Sequence, residues 1–271
     1  MTDGVIGLLS AALLSRQPIQ LAQDTLLSQL QKQCGAVDVV MAKPTEGTYA
    51  FAYRDYTVQY QDAALPAQTL INTHTHTSTP ESYEAALQQT WDWAEARSTV
   101  EACQHSVIIT DFMAGGLLPP VRLSLFNKVI RAVLGIIPCE AIYWQHSQQF
   151  TTPTAYLNNP NPLFGALNVR MFNIANRAAN EVVMDTMGLA TFGLPDIQCH
   201  FIQLDPDKVA QLLYNIGTYL FEKGDVIADG HTVPGIDNNS RWQCQHEDSL
   251  VAPEREVLDL NPGNPYAAGN R

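Results

Sequence analysis

The stretch from Met187 to Gly230 limits the fold more than any other part of the chain. A turn-rich segment from Gly188 to Gly193 leads into Pro195-Asp196, and apolar Ile197, Cys199 and Phe201 then alternate with polar Gln198 and His200. That alternation suits a half-buried strand. Asp205-Pro206 opens a helix, because a carboxylate at the N-cap accepts from free amides of the first turn and proline at the first helical position forfeits no bond. Val209, Leu212, Leu213, Ile216 and Leu220 fall on one face of it, and Gly224 supplies the left-handed cap. None of these helix positions carries a reactive group, so the stretch specifies architecture before it specifies function.

The rest of the chain alternates between short apolar runs and amphipathic segments. Val5 to Leu14 reads as a buried strand, Ala22 to Gln33 as a helix, and Val37–Met41, Thr48–Tyr53, Tyr56–Tyr60 and Leu65–Thr75 as strands. A helix is expected from Pro80 to about Val100. His105 to Phe112 contains the continuous run Val107-Ile-Ile-Thr110, as in a strand covered on both sides. Pro119-Pro120 turns into a helix over Val121–Leu134, Ala141–Trp144 is a strand, and Thr151–Phe164 is a loop with an Asn158-Asn-Pro-Asn-Pro turn cluster. Leu167–Ile174 and Glu181–Thr186 are expected to pair. The order implies an α+β protein in which helices pack on one face of mainly antiparallel sheet, two ferredoxin-like halves being one such arrangement. It is read as one globular domain over residues 1–250, with 1–115 and 116–250 as its halves. Residues 251–271, rich in Pro, Gly and Asn, are read as an extended or mobile tail.

Composition narrows the function classes. Of the 271 residues 46% are hydrophobic and only 15% are charged, below the usual quarter or so, so Gln, Asn, Ser and Thr carry much of the polarity. The formal charge of -12 argues against nucleic acid, whose phosphates need a basic footprint, and suits either plain solubility or a basic protein partner. Asp3 stands where a secretory leader would carry Lys or Arg, and Gly7 and Ser10 interrupt the first apolar run. No apolar run reaches about 18 residues, so no membrane span is expected. Cys34, Cys103, Cys139, Cys199 and Cys244 are odd in number and contain no Cys-x-x-Cys, which fits reduced thiols in a cytoplasmic protein.

Several segments together resemble the bacterial family DUF4261, a domain of unknown function. They are Thr90-Trp-Asp-Trp-Ala-Glu-Ala96, Ser106-Val-Ile-Ile-Thr110 with its proline-bounded helix, Cys139-Glu-Ala-Ile-Tyr-Trp144, Met187-Gly-Leu-Ala-Thr-Phe-Gly-Leu-Pro-Asp-Ile197, the helix Val209–Phe221 and Asp229-Gly-His-Thr232. The resemblance runs over roughly residues 85–235 and is most specific from the helix to Asp229-Gly230. Family members often carry an acidic residue after that Asp-Gly, where this chain has His231. The resemblance implies a fold, and it associates the chain with accessory or immunity proteins of toxin-delivery loci.

Three constellations could carry chemistry. His74 and His76, two apart on a strand, would share a face at a spacing that suits zinc or nickel, with His105 or Glu81 as a further ligand; two solvated imidazoles at a strand end are the plainer reading. Asp225, Asp229, His231 and Asp237 lie in one glycine-rich loop and could bind a metal or run acid–base chemistry if they converged. Ordinary turn chemistry is the plainer reading: Asp229-Gly230 is a hairpin signal with Val226–Ala228 and Thr232–Val233 as arms. Cys199-His200 point to opposite faces of a strand and cannot act as nucleophile and base, whereas Cys244 and His246 would share a face if that segment is extended. Trp91 and Trp93, two apart on an expected helix, cannot share one face, so one belongs to the core and the other to its edge or an interface. Neither a phosphate-binding glycine loop with its lysine, nor Gly-x-Ser-x-Gly, nor His-Glu-x-x-His occurs.

The expectation is therefore a non-enzymatic cytoplasmic binding protein without a cofactor, an immunity or accessory factor that binds and neutralises a basic toxin or secretion-system effector. Its expected binding residues are Trp91, Trp93, Asp225, Asp229, His231 and Asp237. The alternative is an enzyme, metal-dependent through His74 and His76 or hydrolytic through the Asp225–Asp237 loop.

Overall fold

The computed structural model describes residues 7–75, 80–174, 181–237 and 239–269. Two compact units divide the chain, one of Leu8–Ala166 and one built chiefly on Leu167–Arg271. Each has its own sheet, and the whole is α+β with mostly antiparallel pairing.

The first unit is organised around β1 (Ser10–Ser15), every residue of which is buried. It then runs α1 (Gln23–Cys34), β2 (Val37–Lys43), β3 (Thr48–Gln59), β4 (Ala64–Thr75), the short helices α2 (Glu84–Gln88) and α3 (Ala96–Glu101), β5 (His105–Phe112), α4 (Pro119–Leu134), β6 (Ala141–Trp144), β7 (Gln149–Thr151) and α5 (Pro153–Asn158). The sheet order is β2-β3-β4-β5-β1-β6-β7, with β1 antiparallel to both neighbours: Leu13 stands opposite Val107 on one side and Ile142 on the other. A strand between two antiparallel partners, reached through α1 and α4, is the order of a ferredoxin-like unit. Here the meander β2-β3-β4-β5 replaces its central hairpin. Position 115/116, read as a boundary between halves, lies inside this unit because α4 returns the chain to pair β6 with β1.

Helices cover this sheet on both faces, not one. Asp111 of β5 binds Arg122 of α4 through Nε at 2.6 Å and Nη2 at 3.0 Å and accepts the Leu9 amide at 2.7 Å, which fixes α4 to the face of Ala11 and Leu13. Ala12, Leu14 and Ala141 point the other way and pack with Tyr83, Leu87, Val100 and Phe150 under α2 and α3. A strand buried at every position needs cover on both sides, and that requirement calls for the second helical layer. The helix expected from Pro80 to Val100 is broken: α2 stops where the Thr90 hydroxyl donates to the Ala86 carbonyl at 2.9 Å, and the chain turns before α3. Elsewhere the expected strands Thr48–Tyr53 and Tyr56–Tyr60 are one strand, β3, with a register shift between Tyr53 and Thr57.

The second unit runs β8 (Asn168–Asn173), β9 (Glu181–Met187), β10 (Asp196–Ile202), α6 (Pro206–Lys223), β11 (Thr232–Pro234), β12 (Arg241–Asp248) and β13 (Glu256–Asn261). Its order is β11-β12-β13-β10-β9-β8, antiparallel except where β13 joins β10 in parallel. That parallel join is not ferredoxin-like, since α6, β11 and β12 together form the crossover. Residues 251–271, read as a tail, include β13, hydrogen-bonded between β12 and β10 with Val257, Leu258, Asp259 and Leu260 buried. On one face of this sheet Ile197, Cys199 and Phe201 lie beneath α6. Gly217 permits that approach, since a Cβ there would meet Leu167 Cδ2 at 3.1 Å and Leu189 Cδ1 at 3.4 Å.

Across the opposite face runs a row of buried polar residues in register. Arg170 stands opposite Asp185, Asp185 opposite Gln198, and Gln198 opposite Asp259. Arg255 reaches this face from the loop before β13, bonding Asp185 through Nη2 at 2.6 Å and Asp196 through Nε at 3.0 Å. Among the described residues no helix is long and apolar enough to cross a membrane.

Candidate functional site

Helix α6 forms as its sequence implies. Asp205 accepts the Asp207 amide at 3.1 Å, Pro206 occupies the first turn, Lys223 lies in the last, and Gly224 at φ +82° donates its amide to Leu220 O at 2.8 Å. Val209, Leu213, Ile216, Leu220 and Phe221 are buried, whereas Leu212 is only half-buried and Tyr219 is 47% exposed. Leu212, Asn215, Ile216 and Tyr219 form one wall of a groove of about 470 Å³, whose other wall is Val226, Ile227 and His231 to Pro234. Val226 is 50% exposed beside it. The chain reaches that wall by a turn in which the His231 amide donates to Ala228 O at 3.0 Å and Gly230, at φ +80°, donates to Cys244 O at 2.9 Å. The Asp229-Gly230 turn is therefore real, but the expected hairpin arms are not. Thr232–Pro234 pairs with β12, because the segment Arg241–Gln243 offers a longer ladder and a buried indole for Val233 to cover.

His246 of β12 organises the turn. Its Nδ1 lies 2.8 Å from Asp229 Oδ1, its Nε2 lies 3.3 Å from Asp225 Oδ1, and its backbone amide donates to Asp229 Oδ1 at 2.7 Å. Burial pulls the imidazole pKa down, but the bonds to Asp229 and Asp225 and their charges more than offset it, so His246 stands above the ordinary histidine value. Asp229 is held below the usual carboxylate range by the His246 amide and ring. With a carboxylate on each ring nitrogen, the imidazole has no free nitrogen for proton abstraction and cannot join both aspartates on a single metal ion. The geometry is that of a clip.

The sign of its pH dependence follows. Because the folded pKa of His246 is raised, its contribution is complete below the unfolded value of about 6.5 and fades as pH rises through the folded one. A histidine NMR titration should give His246 an apparent pKa above 6.5, and His246→Asn should speed amide exchange at Gly230 and His231. A His246 pKa at or below the free value would contradict the clip.

The other candidate residues are dispersed. Asp237 is in a separate turn, its amide and carbonyl bonded to Ser240, and does not join Asp225 and Asp229. His231 Nδ1 accepts the Ala228 amide at 3.2 Å and lines the groove. Trp91 and Trp93 lie in the turn between α2 and α3, not on a helix; Trp91 is 54% exposed and Trp93 packs against the buried cluster below. His74 lines a polar depression of about 390 Å³ together with His105 and Glu46, and His76 lies outside the described residues. Among the described residues no three His, Cys, Asp or Glu side chains come together as a metal site. The cysteines form no disulfide; burial pushes the thiols of Cys34 and Cys139 up to about 12 and those of Cys103 and Cys244 up to about 11, so these four stay protonated at neutral pH. Sequence reasoning missed His246 as the partner of Asp225 and Asp229. The available signal was its place on the alternating face Trp242, Cys244, His246, where a partly buried imidazole requires partners.

No curated protein and no solved structure matches the chain. A family model matches from β9 to the end of β13, taking in α6, the clip, the groove and Arg255, and leaving residues 85–184 of the expected resemblance unmatched. Over residues 185–261 the chain is thus matched to DUF4261, the domain of unknown function that its sequence resembles.

Proposed function

We propose that this chain is a cytoplasmic, non-enzymatic binding protein, an immunity or accessory factor that captures a basic toxin or secretion-system effector. The observation that carries this reading is the groove beside α6, an apolar channel with exposed Tyr219 and Val226 at its lip. Contiguous apolar side chains left in water on a folded unit mark a place where something docks. Asp225 and Asp229 flank the Val226–Ile227 wall in sequence, and the formal charge of -12 favours a cationic partner over an acidic one. Against catalysis stand the protonated thiols and the capped His246, which supply neither nucleophile nor free base.

The test is co-purification with the basic proteins encoded next to its gene, paired with rescue of cells that express them. A complex that weakens with salt and rescues growth is the expected result. No complex and no rescue with any of them would remove the reading.

A further inference from the structure

β11 is the outermost strand of the six-stranded sheet and has three residues. Cys244 donates to His231 O at 2.8 Å, Gly235 donates to Ser240 O at 3.0 Å, and Val233 is opposite Trp242. In an antiparallel ladder alternate residues turn their backbone groups to the partner strand. His231, Val233 and Gly235 therefore face β12, and Thr232 turns its amide and carbonyl outward, as Pro234 does its carbonyl. No bond to these groups is found among the described residues. They lie along the groove, whose far wall is the stripe Leu212, Asn215, Ile216 and Tyr219 of α6. A helix running beside an open strand edge is the setting in which a peptide adds as an extra strand, its backbone bonding the edge and its alternate side chains entering the groove.

Charge decides the occupant. Asp225 and Asp229 each give one oxygen to His246, and their Oδ2 atoms have no partner among the described residues. A second copy of this chain would bring its own formal charge of -12 against an equally acidic chain, which disfavours self-pairing. Leu212, Ile216, Tyr219 and Val226 suit an aliphatic side chain. We propose that the groove binds an extended segment of a partner protein by strand addition to Thr232, with an aliphatic side chain seated against Tyr219 and Val226 and a neighbouring Lys or Arg on Asp225 or Asp229. This rests on the binding reading above and specifies its site and the chemistry of its ligand. Short strand, proline and flanking carboxylates also protect the edge from indiscriminate pairing, so a particular sequence is required.

The full chain is used to select from a phage-displayed heptapeptide library, and enriched peptides are measured by fluorescence anisotropy. Selected peptides should carry an aliphatic residue next to Lys or Arg. Their affinity should fall about tenfold or more with Tyr219→Ala or Val226→Ser, and with Asp225→Asn where the basic residue is present. Methylating the peptide nitrogen that meets the Thr232 carbonyl should weaken binding similarly, and the melting temperatures of the Tyr219→Ala and Val226→Ser variants should stay unchanged, since both side chains are about half exposed. Peptides that bind all variants equally, acidic peptides, or no enrichment would overturn the inference, as would a dimer that Tyr219→Ala dissociates. If the adjacent-gene partner binds the protein but ignores these substitutions, the groove assignment fails and the binding function stands. If that partner does not bind at all, the function itself fails.

Discussion

Arg255→Ala is expected to cost the unit of Leu167–Arg271 roughly 3–5 kcal/mol of stability. Arg255 holds two buried carboxylates at once: Asp185 at 2.6 Å and Asp196 at 3.0 Å, while Nη2 also donates to Thr186 O at 2.8 Å and Nη1 to Pro253 O at 2.9 Å. Burial works against the guanidinium charge, and the two carboxylates outweigh it, so Arg255 is more firmly protonated than a free arginine. Among the described residues, removing it leaves Asp196 with the Leu189 amide at 3.1 Å and the Thr186 hydroxyl at 3.0 Å, and leaves Asp185 with Arg170. A buried carboxylate robbed of its cation costs far more than the intact pair contributes. Thermal unfolding followed by circular dichroism should move down by on the order of 10 °C. Arg255→Lys, which keeps the charge and loses the fork, should fall between the variant and the parent. A shift below about 1 kcal/mol for Arg255→Ala would mean that the two aspartates are not held as described.

The same network bears on what could be read in advance. Arg170, Asp185, Gln198 and Asp259 align in register across four strands, so a one-residue slip of any strand would strand a charge. No local pattern announces such a row. Gln198 bonds Asp259 across 61 positions, and Asp259 itself disguises β13 as polar tail in a segment bracketed by Pro253 and Pro262. Segments whose signals are local were legible. The Asp205-Pro206 cap and the Gly224 stop gave α6 its ends, and the apolar run of His105–Phe112 gave β5 its central place. Local reading failed where one distant contact overrides periodicity. Thr90 ends α2 through its hydroxyl, which also accepts the Phe150 amide at 3.3 Å, and the helix expected across Trp91 and Trp93 is lost. Asp55 does the reverse for β3: its carboxylate accepts the Ala36 amide at 2.9 Å and spans the irregularity that looked like a strand boundary. For the site, Asp225, Asp229 and His231 were visible as a polar corner, but the imidazole that clips the first two lies 21 and 17 positions away. The groove was hidden for another reason: helical periodicity identifies the buried half of α6, whereas Asn215 and Tyr219 belong to the half it assigns to water.

Acid should weaken the unit of Leu8–Ala166 well before its carboxylates titrate, through His146. The residue is partly exposed, yet its Nε2 is sealed from solvent and has no hydrogen-bond partner among the described residues, while Nδ1 lies 3.4 Å from Ser10 O. Its ring packs edge-on to Trp144 at 6.2 Å and to Phe126 at 6.5 Å. Burial lowers its pKa to about 4 and the nearby Arg122 charge adds to that, while the Ser10 carbonyl opposes it. The folded protein therefore keeps His146 neutral across a range in which the unfolded chain, near 6.5, takes up a proton. Between those values the unfolded state binds more protons, so the stability due to this group is complete above about pH 6.5 and is lost as pH falls toward 4. By pH 5 the loss should reach about 2 kcal/mol, at one and a half units of difference and 1.36 kcal/mol per unit. His246 runs the opposite way, its raised pKa making it a weak brake on acid unfolding, so the two histidines must be separated by mutation. Urea midpoints at pH 7 and pH 5 should diverge less in His146→Gln than in the parent, because glutamine does not titrate. His246→Asn should instead widen the gap between the pH 7 and pH 5 midpoints of its own unit, that of Leu167–Arg271. An equal gap in His146→Gln and parent would place the acid-sensitive proton on another group and show the His146 ring to be open to water.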